Sequence, residues 1–242
     1  MLENEPISMA DACHTLARKG WLAAMPADFR DAFLSAGHLR TFAPGDQIST
    51  AGDDAEVGPG IYGVVAGQVA ILSELGAPDV PISLLFNPGS WGGYAPLFGW
   101  TRVAHLRAIT PTSILCVSLG EVRRMLNALP DWWQHFAQLS FEAGMTYATV
   151  AVDLLLLRAD RRLAAMLLHH ANCRHAGQAH PIYLSQEELG ETARLSRHPT
   201  RHLLRAFQAR GWLCQSYRCI RILEPERLRT LADSEERQGQ SF

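Results

Sequence analysis

The residues with the clearest chemical reading lie between Ser185 and Gly211. Ser185-Gln-Glu-Glu-Leu189 opens with a capping hydroxyl and carries Glu188 three residues later, the spacing of a capping box, so a short helix starts there. Leu189, Thr192 and Ala193 form its apolar side, Leu195 falls in a turn, and Ser196 is placed to cap a second helix that ends at Gly211. With Thr200, Leu203, Leu204 and Phe207 turned inward, Arg197, His198, Arg201, His202 and Arg205 share the outer face of that second helix. Five donor-bearing side chains on one face suit acceptors: guanine O6 and N7, and phosphate oxygens. Helix, tight turn and helix make the helix-turn-helix arrangement, whose second helix enters the DNA major groove.

After Gly211, Trp212–Gln215 and Arg218–Leu223 alternate as a hairpin about a turn at Ser216-Tyr217, which makes a wing beside the helices. Arg218 is then placed to contact phosphate. In this register Cys214 stands opposite Cys219 with Cβ atoms about 4.5–5.5 Å apart. The pair serves either as two reduced packing thiols or as a redox-sensitive clasp.

Other groups have the right type for chemistry without a completing partner. His169 and Cys173 stand at i and i+4 and could share one metal, with His170 and His175 nearby, but no second ligand pair is evident, so the expectation is a solvated helix end and no metal. His38, His105 and Cys116 are of the type that ligates haem, and nothing in their spacing selects them. Only Cys13 precedes residue 116, too few thiolates for an iron-sulfur cluster. No cofactor is identified. No Gly-x-Ser-x-Gly, Gly-Lys-Ser/Thr phosphate loop or His-Glu-x-x-His occurs, so the expectation is not an enzyme.

Charge separates the chain into two parts. Residues 159–231 hold 12 Arg against 6 acidic residues, a balance of +6, while the rest is acidic, and the net charge is −2. A basic end on an acidic body suits an anionic partner such as nucleic acid, although a solvated arginine face would show the same balance. Lys19 is the only lysine. The 242 residues exceed the usual single-domain range, and 48% are hydrophobic, enough for a core. No apolar run reaches membrane-spanning length, and the N-terminus is acidic rather than signal-like, so the expected location is the cytoplasm, with no membrane partner.

The elements that must position these groups follow from pattern. Leu16, Trp21, Leu22, Met25, Phe29, Phe33 and Leu34 recur near the helical repeat, with a break at Pro26. From Leu39, Gly and Pro punctuate short β-prone pieces at 47–49, 60–65, 68–72, 82–86, 105–109 and 114–117, the texture of a small barrel or sandwich. Between Asp131 and Arg158 there is no proline, and Phe136, Leu139, Ala143, Thr146, Val150 and Leu157 mark the seam of one long helix, interrupted by Asp153. Such a helix, about 42 Å long, is expected to turn this seam towards a second copy. Packing on its own barrel is the alternative. Residues 232–242 read as a disordered tail.

The order of parts resembles the Crp/Fnr family of bacterial transcription regulators. Gly45-Asp-Gln-Ile48, Gly52-Asp-Asp54, Ile61-Tyr62 and Gly67-Gln-Val69 are similar to the family's strand-and-glycine pattern. Pro88-Gly89 through Leu97-Phe98 to Arg102-Val-Ala104 resembles its phosphate-binding cassette. Gln186-Glu-Glu-Leu189 through Ser196-Arg197 to Gly211-Trp-Leu213 resembles its DNA-binding signature. The resemblance implies an α+β chain. Residues 1–130 would be a cyclic-nucleotide-binding-like β-roll sensor with N-terminal helices, 131–158 a dimerisation helix, and 159–231 a winged helix-turn-helix. It further implies a homodimer on double-stranded, pseudo-palindromic DNA that recruits or blocks RNA polymerase under a small-molecule effector, here unidentified. The alternative is an effector-sensing protein-interaction module without DNA binding.

The resemblance also places the effector pocket at Gly89, Gly93, Tyr94, Arg102, Val103 and Tyr147. Cyclic-AMP-binding members have a Glu where this chain has Tyr94, a Ser where it has Val103, and polar adenine contacts where it has Tyr147 and Ala148; the loop from Phe98 to Arg102 is short. An ordinary cyclic-AMP response is therefore not expected. Arg102 is left to meet another anion or to form a structural salt bridge. The family's recognition helix opens Ser-Arg-Glu, whereas this one reads Ser196-Arg197-His198, with Pro199 tolerated in the first turn. His198 removes an acceptor for cytosine N4, so a different base is expected at the matching position.

Overall fold

A computed structural model of the chain describes residues 7–53, 58–73 and 82–234. The chain divides into two compact units, Met1–Thr146 and Tyr147–Phe242.

The first unit opens with α1 (Met9–Leu16), started by a capping box in which Ser8 Oγ accepts from the Asp11 N–H at 3.1 Å. A 3₁₀ turn at Trp21–Ala24 follows, and Pro26 then stands at the N-cap of α2 (Ala27–Ser35). Eight strands come next: β1 (His38–Phe42), β2 (Gln47–Ser49), β3 (Ile61–Ala66), β4 (Val69–Ser73), β5 (Leu84–Phe86), β6 (Trp91–Gly92), β7 (Ala104–Ala108) and β8 (Thr112–Val117). They pair antiparallel in two four-stranded sheets, ordered β1-β8-β3-β6 and β2-β7-β4-β5. The six strands expected from composition all appear, with ends shifted by up to two residues.

What joins helices to strands here is an aromatic core. Trp21 makes edge or tilted contacts with Phe29, Phe33, Trp91 and Phe136 at centroid distances of 5.6–6.0 Å, and its indole N–H donates to the His135 carbonyl at 3.0 Å. Such pairs contribute about 0.5–1.5 kcal/mol each beyond area burial.

Two helices leave the sheets, α3 (Leu119–Ala128), capped by Ser118, and α4 (Trp133–Leu154). The single helix expected over 131–158 is shorter at both ends. Pro130–Trp132 is a 3₁₀ turn, and after Leu154 the chain tightens through Val152 O and Asp153 O before α5 (Ala159–His170) begins. Arg162 captures the carbonyls of Leu156 and Leu157 at 2.6 and 3.0 Å, so carbonyls that one more helical turn would engage are bound by a guanidinium.

The seam assigned to a second copy is also corrected. Phe136 and Leu139 belong to the aromatic core of the first unit, Val150 is buried, and Leu157 lies beyond the helix, 80% exposed. The face left open is a different one: Phe141, Met145, Ala148, Val152 and Leu155 are all exposed.

The second unit continues with α6 (Gln186–Thr192), α7 (Arg197–Ala209), a hairpin of β9 (Leu213–Ser216) and β10 (Cys219–Ile222), and α8 (Pro225–Asp233). The expected tail is helical through Asp233, so residues 232 and 233 are ordered into α8, while 235–242 lie outside the described residues. Arg161 donates twice to Ala232 O at 3.0 and 3.1 Å, and Arg229 donates to Cys173 O at 2.9 Å, which fixes α8 on α5.

Asp153, anomalous in an apolar seam, is the centre of a buried ion cluster. Its carboxylate lies 2.7 Å from His169 Nε2 and accepts from Arg174 at 2.8 and 3.0 Å; Arg174 also reaches Asp233 at 2.7 Å. Burial alone would raise the Asp153 carboxyl, but the hydrogen bonds and charges of His169 and Arg174 outweigh it and hold it at about 2. A folded pKa below the unfolded value gives stability that is present above pH about 4 and is lost as pH falls towards 2. Asp153→Ala should destabilise the protein by about 3 kcal/mol at pH 7, because the Arg174 guanidinium loses its anion and His169 its hydrogen-bond partner. It should also flatten the loss between pH 4 and 2 relative to the native chain, as read by urea unfolding across that range.

Candidate nucleic-acid interface

The second unit builds one outward helix face from local signals. Ser185 Oγ accepts from the Glu188 N–H at 3.1 Å while Glu188 Oε2 accepts from the Ser185 N–H at 2.7 Å, the reciprocal cap expected for α6. Ser196 occupies the N-cap of α7, though its hydroxyl makes no cap hydrogen bond; its carbonyl accepts from Thr200 Oγ1 at 2.9 Å instead. The turn between the helices puts Arg194 at φ 53°, and Leu195 N–H returns to Gly190 O at 2.8 Å.

Gly190 is where the two helices come closest. A Cβ there would stand 2.5 Å from Thr200 Oγ1 and 2.9 Å from Leu195 O, so no larger residue fits without moving α7. Thr200, Leu204 and Phe207 are buried and Leu203 is half-buried, while Arg197, His198, Arg201, His202 and Arg205 are exposed. Every inner and outer position read from spacing is found on its expected side. A concavity of about 710 Å³ is lined by Arg197, Arg201 and Arg205 together with Gln186, Gln208 and Gln215. The three glutamines carry no signal of their own in the sequence; only the fold brings them beside the arginines.

The wing differs from expectation by one residue. Its turn is Tyr217-Arg218, with Arg218 at φ 49°, and Cys219 pairs with Ser216 while Cys214 pairs with Arg221. Moving the turn by one residue shifts the cross-strand partners by two, so Cys214 and Cys219 do not oppose one another and the clasp expected from that register is ruled out; Cys214 is exposed and Cys219 buried. Arg218 forms a 3.0 Å ion pair with Glu188, which ties the wing to the α6 cap rather than leaving that guanidinium free for phosphate. Ile182 adds a bridge to Ile220 and extends the hairpin.

Two of the clustered histidines are held within the fold, while His175 is exposed. His169 binds Asp153, and His170 Nε2 lies 3.0 Å from Thr192 Oγ1, with burial pushing its imidazole down to about 3. Cys173 is buried, and burial raises its thiol. In the first unit His105 Nδ1 accepts from the Ala51 N–H at 3.2 Å, and burial pushes the Cys116 thiol up to about 12.

Most of the residues expected around an effector pack on their own neighbours or face outward. Tyr94 packs on the aromatic core, Gly89 abuts Lys19, and Gly93 sits against Gly60 O and the Tyr62 ring. Val103 is exposed, and Tyr147 is an exposed residue of the second unit. Arg102 is the exception. It is 5% exposed, its Nε and Nη2 have no hydrogen-bond partner among the described residues, and the bare Cα of Gly58 leaves open the space beside its guanidinium. Burial lowers its pKa, with Tyr62 and Asp53 acting against that shift.

This is a mixed helix-and-sheet protein, an N-terminal β-sheet body with a C-terminal winged helix-turn-helix. Residues 161–231 match the Crp-like helix-turn-helix domain, which bears out the family resemblance read from the sequence. No curated protein matches the chain. Among solved structures, a protein of Ruegeria pomeroyi DSS-3 is similar at TM-score 0.65 and 15% identity, covering 95% of this chain and 100% of its own. The c-di-GMP-responsive global regulator CLP of Xanthomonas campestris is similar at 0.59 and 21%, covering 81% and 99%. A CRP-family transcriptional regulator of Thermus thermophilus is similar at 0.59 and 19%, covering 81% and 97%. These likenesses establish the fold.

Proposed function

We propose that the protein is a sequence-specific, DNA-binding transcription regulator that works as a homodimer, in the cytoplasm, without catalytic activity of its own. One observation carries the reading: the exposed donor face Arg197, His198, Arg201, His202 and Arg205 on a helix whose opposite face is buried. Such a face meets base edges and phosphates in the major groove, with Ser196 at the groove-entering end. Binding there would recruit or block RNA polymerase. Residues 159–231 form the DNA-binding part, and residues 1–130 the sensing part. Arg197→Ala should weaken binding to the selected duplex by about 1–3 kcal/mol and relax one position of each half-site, measured by titration and site selection at fixed salt. Unchanged affinity and specificity would remove Arg197 from the interface.

The open face of α4 supplies the dimer. Phe141, Met145, Ala148, Val152 and Leu155 follow steps of four and three, the spacing of a two-stranded seam, and Phe141, Val152 and Leu155 are 63–78% exposed. A second copy of the same helix, related by a two-fold axis, covers such a stripe along its length and leaves two reading helices about one DNA turn apart. Met145→Glu with Val152→Glu should give monomers by sedimentation and lose operator binding with them. Persistence of the dimer would place the contact elsewhere.

Effector control is assigned to Arg102, because a buried guanidinium with unfilled N–H groups is complete only when an anion reaches it. An anion at a hundredfold excess over its Kd should stabilise the native protein by about 2.7 kcal/mol. Arg102→Met should raise the melting temperature of the ligand-free protein by relieving desolvation and should abolish the anion-induced shift. A shift that survives the substitution would put the effector at another site.

A further inference from the structure

Beside the arginine face, three amides are linked in a row. Gln186 Nε2 donates to Gln215 Oε1 at 2.8 Å, and Gln215 Nε2 donates to Gln208 Oε1 at 2.9 Å. The row runs from the first residue of α6, through β9 of the wing, to the last turn of α7, and all three side chains line the concavity that holds Arg197, Arg201 and Arg205. We propose that this row is a base-reading relay, in which Gln215 is a positioning residue that decides which end offers an unengaged acceptor oxygen; the proposal rests on the DNA-binding reading above.

The chemistry follows from the two-sidedness of a primary amide, which carries one acceptor oxygen and two donor hydrogens. Gln215 uses both its oxygen and its nitrogen inside the row, so its role is to connect. With the row running from Gln186 to Gln208, Gln186 keeps an unengaged oxygen and one N–H, while Gln208 keeps two N–H groups and an oxygen that already accepts one hydrogen bond. Turning all three amides over reverses the row without moving a heavy atom far. Gln208 then offers the oxygen and Gln186 the two donors. Each end therefore always has a donor, and only one end at a time has an oxygen with both lone pairs open.

That single oxygen matters because the other polar residues lining the concavity are arginines, which only donate. Arginines select guanine and phosphate, whereas cytosine N4 and adenine N6 are donors and need an acceptor. A phosphate reached by one end would favour the all-donor state there and direct the acceptor to the other end. The relay thus gives the interface a base preference that the arginine face alone lacks.

The experiment is selection of bound duplexes from a random pool by the full-length native chain, Gln215→Glu, Gln215→Leu and Gln208→Leu, at one salt concentration. A carboxylate at 215 accepts from both neighbours, so both ends keep free oxygens, and Gln215→Glu should gain a cytosine or adenine preference at a second position. Gln215→Leu should flatten the native preference and weaken the native site about two- to tenfold, the worth of one hydrogen bond. Gln208→Leu, on the exposed side of α7, leaves the wing intact and should lose the preference only at its own end. Identical base preferences in the native chain and all three variants would overturn the relay while leaving DNA binding standing. A native chain that enriches no sequence would instead overturn the DNA-binding reading, and the relay with it.

Discussion

The contact between Gly190 and Thr200 governs the rest of the DNA-binding unit. Two helices can cross this closely only where one lacks a Cβ, and the missing atom would stand within 2.5 Å of Thr200 Oγ1. Because Thr200 is held there, with its hydroxyl on Ser196 O, the rotation of α7 about its axis is set. Leu204 and Phe207 then fall into the core one and two turns later, and the positions between them, Arg201 and Arg205, must face out. Packing of a side-chain-free point on α6 thereby decides which side chains α7 turns outward. The Arg218–Glu188 pair and the glutamine row extend the same control to the wing, since both bind β9–β10 to the start of α6.

Long helix α4 illustrates how two apolar stripes on one element are confused in a sequence. The stripe through Phe136, Leu139 and Val150 and the stripe through Phe141, Met145, Val152 and Leu155 have the same three-and-four spacing, and periodicity alone does not say which is covered by the chain itself. Asp153 decides between them in retrospect. A carboxylate belongs on the side where His169 and Arg174 await it, so the stripe containing it is the internal one. The end of α4 is similarly hidden, because apolar Leu155 and Leu157 continue the pattern while Arg162 removes the carbonyls that would continue the helix.

Most of the recognition helix is legible in the sequence because amphipathicity, a cap and a terminal glycine agree there, and each level supports the same rotation. The wing is less so. Its two strands are plain, but Arg218 adopts a left-handed backbone that non-glycine residues visit rarely, so spacing alone places the turn one residue early and sets Cys214 opposite Cys219 instead of Arg221. Helix α8 does carry a signal: Pro225 in its first turn, with Leu228 and Ala232 at helical spacing and both buried. The unpartnered state of Arg102 has no signal at all, since it depends on what the strands leave around the guanidinium.

Net charge, finally, is a correct pointer for a reason only partly related to DNA. Among the twelve arginines of residues 159–231, Arg161, Arg162 and Arg229 hold backbone carbonyls, Arg174 holds Asp153 and Asp233, Arg218 holds Glu188, and Arg210 lies over the Trp212 ring at 5.0 Å. Half of these arginines therefore have partners within the fold. A planar guanidinium offers several N–H groups at fixed angles: Arg161 turns two of them on the single Ala232 O, and Arg162 spans the carbonyls of Leu156, Leu157 and Ala193, which a single ammonium would do less well. The same geometry that makes arginine a reader of guanine and phosphate also makes it a fastener of helix ends. What separates the two uses is placement: Arg197, Arg201 and Arg205 stand exposed on one face, with their aliphatic neighbours buried behind them and, among the described residues, no carbonyl or carboxylate as a hydrogen-bond or ion-pair partner.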